Sequence, residues 1–166
     1  MRVLGIDPGS RITGLGVVEM VNGKLVGVAS QALRLGGGAL SGRLGHIYEA
    51  VSELIVQTQP DVVAIEQVFM ANNAKAALTL GHARGAAMCA AVNSGMEVYE
   101  YSAKQIKLAV VGTGGAKKDQ VQHMVRVLLN LSKNPQSDAA DALACAICHV
   151  HSADLANKLG LAARTA

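Results

Sequence analysis

The apolar positions change period several times along the chain. Residues 2–7 are a short apolar run that closes on a carboxylate, Asp7, and read as a buried strand. Ile12 to Glu19 and Lys24 to Leu33 read as two more strands, joined through Val21-Asn22-Gly23. Asn-Gly between apolar segments favours a tight hairpin, so the chain opens as a three-stranded antiparallel meander. Gly36-Gly37-Gly38 interrupts the pattern, and with no phosphate-loop Lys after it the run is a linker. Leu44, Ile47, Tyr48, Val51, Leu54 and Ile55 then recur at helical spacing, which predicts a helix from about Ser41 to Gln57, ended by Pro60-Asp61. Val62-Val63-Ala64-Ile65 does not alternate, as suits a strand covered on both faces, and it also ends in an acid, Glu66.

A long small-residue helix follows, roughly Asn73 to Asn93. Its Ala77, Gly81 and Gly85 form a smooth stripe that permits close approach, either of the sheet or of a second subunit. Glu97 to Tyr101 reads as a strand, and Ser102 caps a short helix to about Val111. Beyond the flexible Gly112-Thr113-Gly114-Gly115, Lys117 to Leu131 is amphipathic, with Val121, Met124, Val125, Leu128 and Leu129 on one side. Asn134-Pro135 breaks it, and Ser137 is placed to N-cap a last helix, Asp138 to about Val150. The order is βββ, α, β, α, β, α, α, α. This predicts an α/β fold, a mixed five-stranded sheet flanked by helices, in one domain over residues 1–151. Residues 152–166 are left as a C-terminal tail with little to pack against.

Composition narrows the class. Half of the 166 residues are apolar and 16% are charged, below the roughly 25% usual for soluble domains, which implies a deeply buried core. No apolar run approaches the ~18 residues of a membrane span, and Asp7 interrupts any signal-peptide core, so a cytoplasmic location is expected. The net charge of +3 is mild, but Lys104, Lys107, Lys117 and Lys118 make a locally basic strip compatible with phosphate binding. Three cysteines, an odd number, suit reduced thiols. Cys145-Ala146-Ile147-Cys148-His149 matches the haem-attachment string, but it lies inside an apolar helical stretch, where small buried thiols are the expected reading.

The two strand-ending acids are the start of a chemistry. After Asp7, Pro8 presets φ for a tight turn and Gly9 suits a type II turn with φ > 0, which would aim the carboxylate. Asp138 and Asp141 stand at i and i+3 in the first turn of the last helix, where the helix dipole favours negative charge. Ala139, Ala140, Ala142, Leu143 and Ala144 around them suggest a helix packed close to the sheet. Should it lie beside the two strands, Asp7, Glu66, Asp138 and Asp141 converge. Clustered carboxylates repel and raise one another's pKa, and oxygen-only donors suit hard cations, Mg²⁺ or Mn²⁺. Two such ions about 4 Å apart can activate water and stabilise a leaving oxygen in phosphodiester hydrolysis.

Several motifs resemble one family in order. Gly5-Ile6-Asp7-Pro8-Gly9-Ser10 with Thr13-Gly14, then Ile65-Glu66-Gln67-Val68-Phe69-Met70 and Gly81-His82-Ala83-Arg84-Gly85, are followed by Val110-Val111-Gly112 and Asp138-Ala139-Ala140-Asp141-Ala142-Leu143. Together they resemble the RuvC family of Holliday junction resolvases over about residues 2 to 150. The resemblance implies a ribonuclease H-like fold, a homodimer, cooperation with the RuvA-RuvB branch-migration complex, and Mg²⁺-dependent paired nicking of four-way DNA junctions. It places Asp7, Glu66, Asp138 and Asp141 on the family's catalytic, metal-holding acids, although some relatives carry His at the position of Asp138. Lys107 and Lys118 fall on positions that contact DNA in relatives. Phe69 is the only Phe in a chain without Trp, and beside the acids it could stack on an unpaired base; the resemblance implies a wedge at the junction crossover. Asn72 stands where the resemblance implies a basic residue, with Lys75 nearby. A sugar-kinase or actin-like ATPase also opens with an Asp-x-Gly phosphate loop, but it needs two such domains around a nucleotide. The other rivals are a resolvase-like enzyme acting on RNA or replication debris and a non-catalytic junction-binding module, against which the intact carboxylates weigh.

Overall fold

A computed structural model describes residues 1–68 and 73–160. The elements run β1 (Arg2–Asp7), β2 (Ile12–Val21), β3 (Lys24–Arg34), α1 (Leu40–Thr58), β4 (Val62–Glu66), α2 (Ala74–Asn93), β5 (Val98–Tyr101), α3 (Ala103–Val111), α4 (Lys118–Leu128) and α5 (Ser137–Lys158). The sheet order is β3-β2-β1-β4-β5, with the meander antiparallel and β1, β4 and β5 parallel. The hairpin turn has Asn22 at φ 49° and Gly23 at φ 76°, the left-handed pair that lets a two-residue loop follow the strands' twist.

Each face of the sheet carries its own core, and the two-residue period of the strands decides which side chain enters which. Leu4 and Ile6 of β1 and Val63 and Ile65 of β4 join Ile47, Val51 and Leu54 of α1 and Ala83, Ala87 and Ala90 of α2. Val3 and Ala64 point the other way, into a core with Leu143, Ala144 and Ile147 of α5 and residues of α3 and α4. Asp7 has the parity of Val3, and Glu66 that of Ala64, so both acids are directed toward the α5 face.

Helix α5 rests on β1 and β2 almost backbone to backbone. A Cβ added to Gly5 would lie 2.0 Å from the Ala142 carbonyl oxygen, and one on Gly14 would lie 2.0 Å from that of Asp138. Gly16, directly opposite Gly5 in the β1–β2 register, would meet Leu143 at 2.8 Å. Three glycines beneath an alanine-rich helix therefore set its height above the sheet.

Several sequence expectations are corrected at element ends. Gln136, not Ser137, caps α5: its Oε1 accepts from the N–H groups of Asp138 (2.8 Å) and Ala139 (3.1 Å). The helix does not stop near Val150 but continues to Lys158, where polar side chains support it. Ser152 Oγ bonds the Cys148 carbonyl at 2.8 Å, and Lys158 pairs with Asp154 at 2.6 Å. Helix α4 closes at Leu128 rather than Leu131, with Asn130 in the left-handed region at φ 50°. Gly9 is not at positive φ; it is required sterically, because a Cβ there would lie 1.8 Å from the Ile12 carbonyl oxygen. The α2 stripe faces away from the sheet, since a Cβ on Gly81 or Gly85 would meet open space. Among the described residues no helix is long and apolar enough to cross a membrane.

Candidate active site

Parallel register between β1 and β4 pairs Ile6 with Ile65, so the residues that follow, Asp7 and Glu66, emerge side by side at the strands' C-terminal ends. The turn after Asp7 is locked from within. Buried Thr13 donates its hydroxyl to the Gly9 carbonyl at 2.9 Å and accepts from the Gly9 N–H at 3.3 Å. Arg43 of α1 reaches across to the Ser10 carbonyl at 2.8 Å. Asp141 arrives from the first turns of α5, carried down by the glycine seat. Asp7, Glu66 and Asp141 line one cleft of about 330 Å³, together with Lys107 of α3, Lys118 of α4, Ala103, Ile106 and Val121.

Three of the four predicted acids therefore converge. Asp138 does not line the cleft: Gln136 Nε2 donates to its Oδ2 at 2.6 Å and holds it at the rim. Its charge is still felt by Asp7 and Asp141. Both predicted DNA-binding lysines open onto the cleft, and Lys118 Nζ lies 2.7 Å from Asp141 Oδ2. Lys104 packs under the glycine loop at Gly114, and Lys117 is the N-cap of α4; neither lines the cleft. Phe69 and Asn72 lie outside the described residues, while Lys75 is exposed at the start of α2.

The cleft is electrostatically unbalanced toward negative charge. Burial, then the carboxylates of Glu66 and Asp141, push Asp7 up to about 8. Glu66 is raised by burial and by Asp141, against the opposing pull of Lys107 and Lys118. Asp141 is raised by burial even though Lys118 hydrogen-bonds it, and Lys118 is raised in turn by that bond. The all-oxygen donor set and the excess of buried carboxylate fit a hard divalent cation. As the side chains lie, no three His, Cys, Asp or Glu among the described residues form a ligating group; Asp141 is paired with Lys118 and Asp138 accepts from Gln136.

Sequence reasoning missed the supporting residues Thr13, Arg43 and Gln136. Thr13 stands beside Gly14 in the sequence, but its hydroxyl's return to Gly9 has no sequence signal. The haem-like string resolves as expected: Cys145 and Cys148 are buried in α5, and His149 Nδ1 lies 2.9 Å from the Tyr101 hydroxyl, its ring 4.4 Å from that of Tyr99.

A five-stranded mixed sheet with acids on two adjacent parallel strands and on the helix crossing them defines a ribonuclease H-like nuclease domain. The family described as "Crossover junction endodeoxyribonuclease RuvC" matches residues 3–149. The chain belongs to the RuvC family. The crossover junction endodeoxyribonuclease RuvC of Aeromonas salmonicida is 61% identical over 149 residues, covering 90% of this chain and 86% of that protein. The RuvC structure from Thermus thermophilus superposes with a TM-score of 0.85 at 36% identity, covering 93% of this chain and 96% of that one. The same bacterium's RuvC in complex with a Holliday junction substrate matches with a TM-score of 0.85 at 34% identity, with the same coverage.

Proposed function

We propose that this chain cuts four-way DNA junctions at paired, symmetric positions by Mg²⁺-dependent phosphodiester hydrolysis, acting in the cytoplasm during recombination and repair. The observation that carries the reading is the gathering of Asp7, Glu66 and Asp141 in one cleft with two lysines, in a chain of this family. In this reading the three acids hold the cations, and Asp138 joins them when it leaves Gln136. Bound there, divalent cations supply Lewis acidity toward an attacking water and the leaving oxygen of the phosphodiester. The protein's own part is positional. The locked turn and the glycine seat hold the carboxylates, while Lys107 and Lys118 take DNA phosphates, giving affinity rather than sequence choice. Phe69, three residues past Glu66, stacks on an unpaired base at the crossover.

Paired nicking calls for two active sites, and the chain is proposed to act as a homodimer. The outward face of α2 supports this: Gly81 and Gly85 leave room for close approach, and Leu78 and Val92 on the same helix are more than half exposed. Cooperation with the branch-migration proteins RuvA and RuvB rests on family resemblance alone. The test is a cleavage assay on labelled four-way junctions, linear duplexes and RNA hairpins. Paired cuts in the junction alone, present with Mg²⁺ and absent with EDTA, are expected; equal cutting of linear duplex would overturn the junction reading.

A further inference from the structure

Lys118 occupies the first position of α4, where the free N–H groups of a helix disfavour a cation. Its neighbour Asp119 has the sign that this helix end prefers. The ammonium nevertheless turns into the cleft and pairs with Asp141 at 2.7 Å. The two partners are unequally held: the lysine side chain is 58% exposed and the acid 23%. Asp141 is fixed by a helix seated on backbone, whereas Lys118 has open solvent to swing into. Its charge also reaches Asp7 and Glu66, so it offsets the repulsion of the whole carboxylate group, not of one partner.

Resting on the cation-dependent reading above, we propose that Lys118 is the resident counter-ion of the carboxylate site. Its ammonium and an incoming divalent cation compete for Asp141, so that loading the cation releases Lys118 to a DNA phosphate. One positive charge then does two jobs in sequence: it holds the metal-free site together, and it grips the substrate once the metal has replaced it. The coupling is reciprocal, and a cation that frees Lys118 strengthens the grip on DNA as much as engaged DNA strengthens the hold on the cation.

The competition is measurable without DNA or turnover. Mn²⁺ alone is titrated into the full chain, and free Mn²⁺ is read from its paramagnetic resonance signal. Lys118→Gln is expected to bind Mn²⁺ about two- to fivefold tighter than the unsubstituted chain, the range set by an exposed ion pair. Lys118→Arg, which keeps the charge, is expected to stay near the unsubstituted affinity, and Asp141→Asn to bind more weakly. Thermal melts in the absence of metal accompany each titration, with a single cooperative transition for Lys118→Gln showing that its binding is that of a folded chain. Mn²⁺ affinity in Lys118→Gln that is unchanged or weaker overturns the counter-ion role while leaving the cation site standing. An unsubstituted chain that binds no Mn²⁺ overturns the cation site itself.

Discussion

Asp7 is the carboxylate whose ionisation the fold opposes most visibly. With its pKa raised from 3.8 to about 8, the native chain keeps a proton that the unfolded chain has already released across that window. More protons bound in the native state means that stability falls as pH rises from about 4 to 8 when no metal is present. Asp7→Asn removes the penalty, and is expected to melt roughly 5 °C or more above the unsubstituted protein at pH 8, with little difference at pH 4. The same substitution should abolish junction cutting while binding persists. Phe69→Ala is expected to reduce cutting more than binding, since the proposed stack would hold one base open beside the acids while lysine contacts to phosphates keep the DNA bound. Asp7 and Glu66 were legible in the sequence because each closes an apolar strand run. The rim position of Asp138 was not, because a glutamine two residues upstream captures it, and such a hydrogen bond leaves no periodic trace.

Among the elements, α5 decides whether Asp141 reaches the two strand-borne acids. Its alanines point to close packing, and the start of this helix is legible as the carrier of both acids, but only Asp138 lies in the first turn, with Asp141 just beyond it. What periodicity could not supply was the receiving surface, because Gly5, Gly14 and Gly16 look like ordinary strand residues until the β1–β2 register places them under one helix. Gly5→Ala inserts a methyl against the Ala142 carbonyl and must lift the helix. The expected cost is about 1–3 kcal/mol in a melt, with cutting lost although every carboxylate is intact. The extension of α5 to Lys158 escaped the sequence reading because its last turns are held by polar contacts rather than by an apolar stripe.

For the molecule as a whole, the opening meander and a mixed sheet flanked by helices follow from the alternation of runs and periodic helices, whereas the strand order β3-β2-β1-β4-β5 comes from the structure alone. So does the way the α2 stripe faces, since a smooth face suits a sheet and a subunit equally. Its outward aim makes a sharp expectation: Gly85→Leu fills the space needed for close approach. It should sediment as a monomer at micromolar concentration and leave single nicks where the proposed dimer would make pairs. The glycine seat has a wider bearing. Because the helix that brings Asp141 is referenced to backbone, its height above the strand-borne acids is set by Gly5, Gly14 and Gly16 rather than by the packing of the α1 side chains. Ile47→Val, in the α1 layer, is expected to cost about 0.5–1.5 kcal/mol of stability yet leave cutting per folded molecule unchanged. Conservative changes in the α1 layer are thereby expected to register in stability before they register in the chemistry.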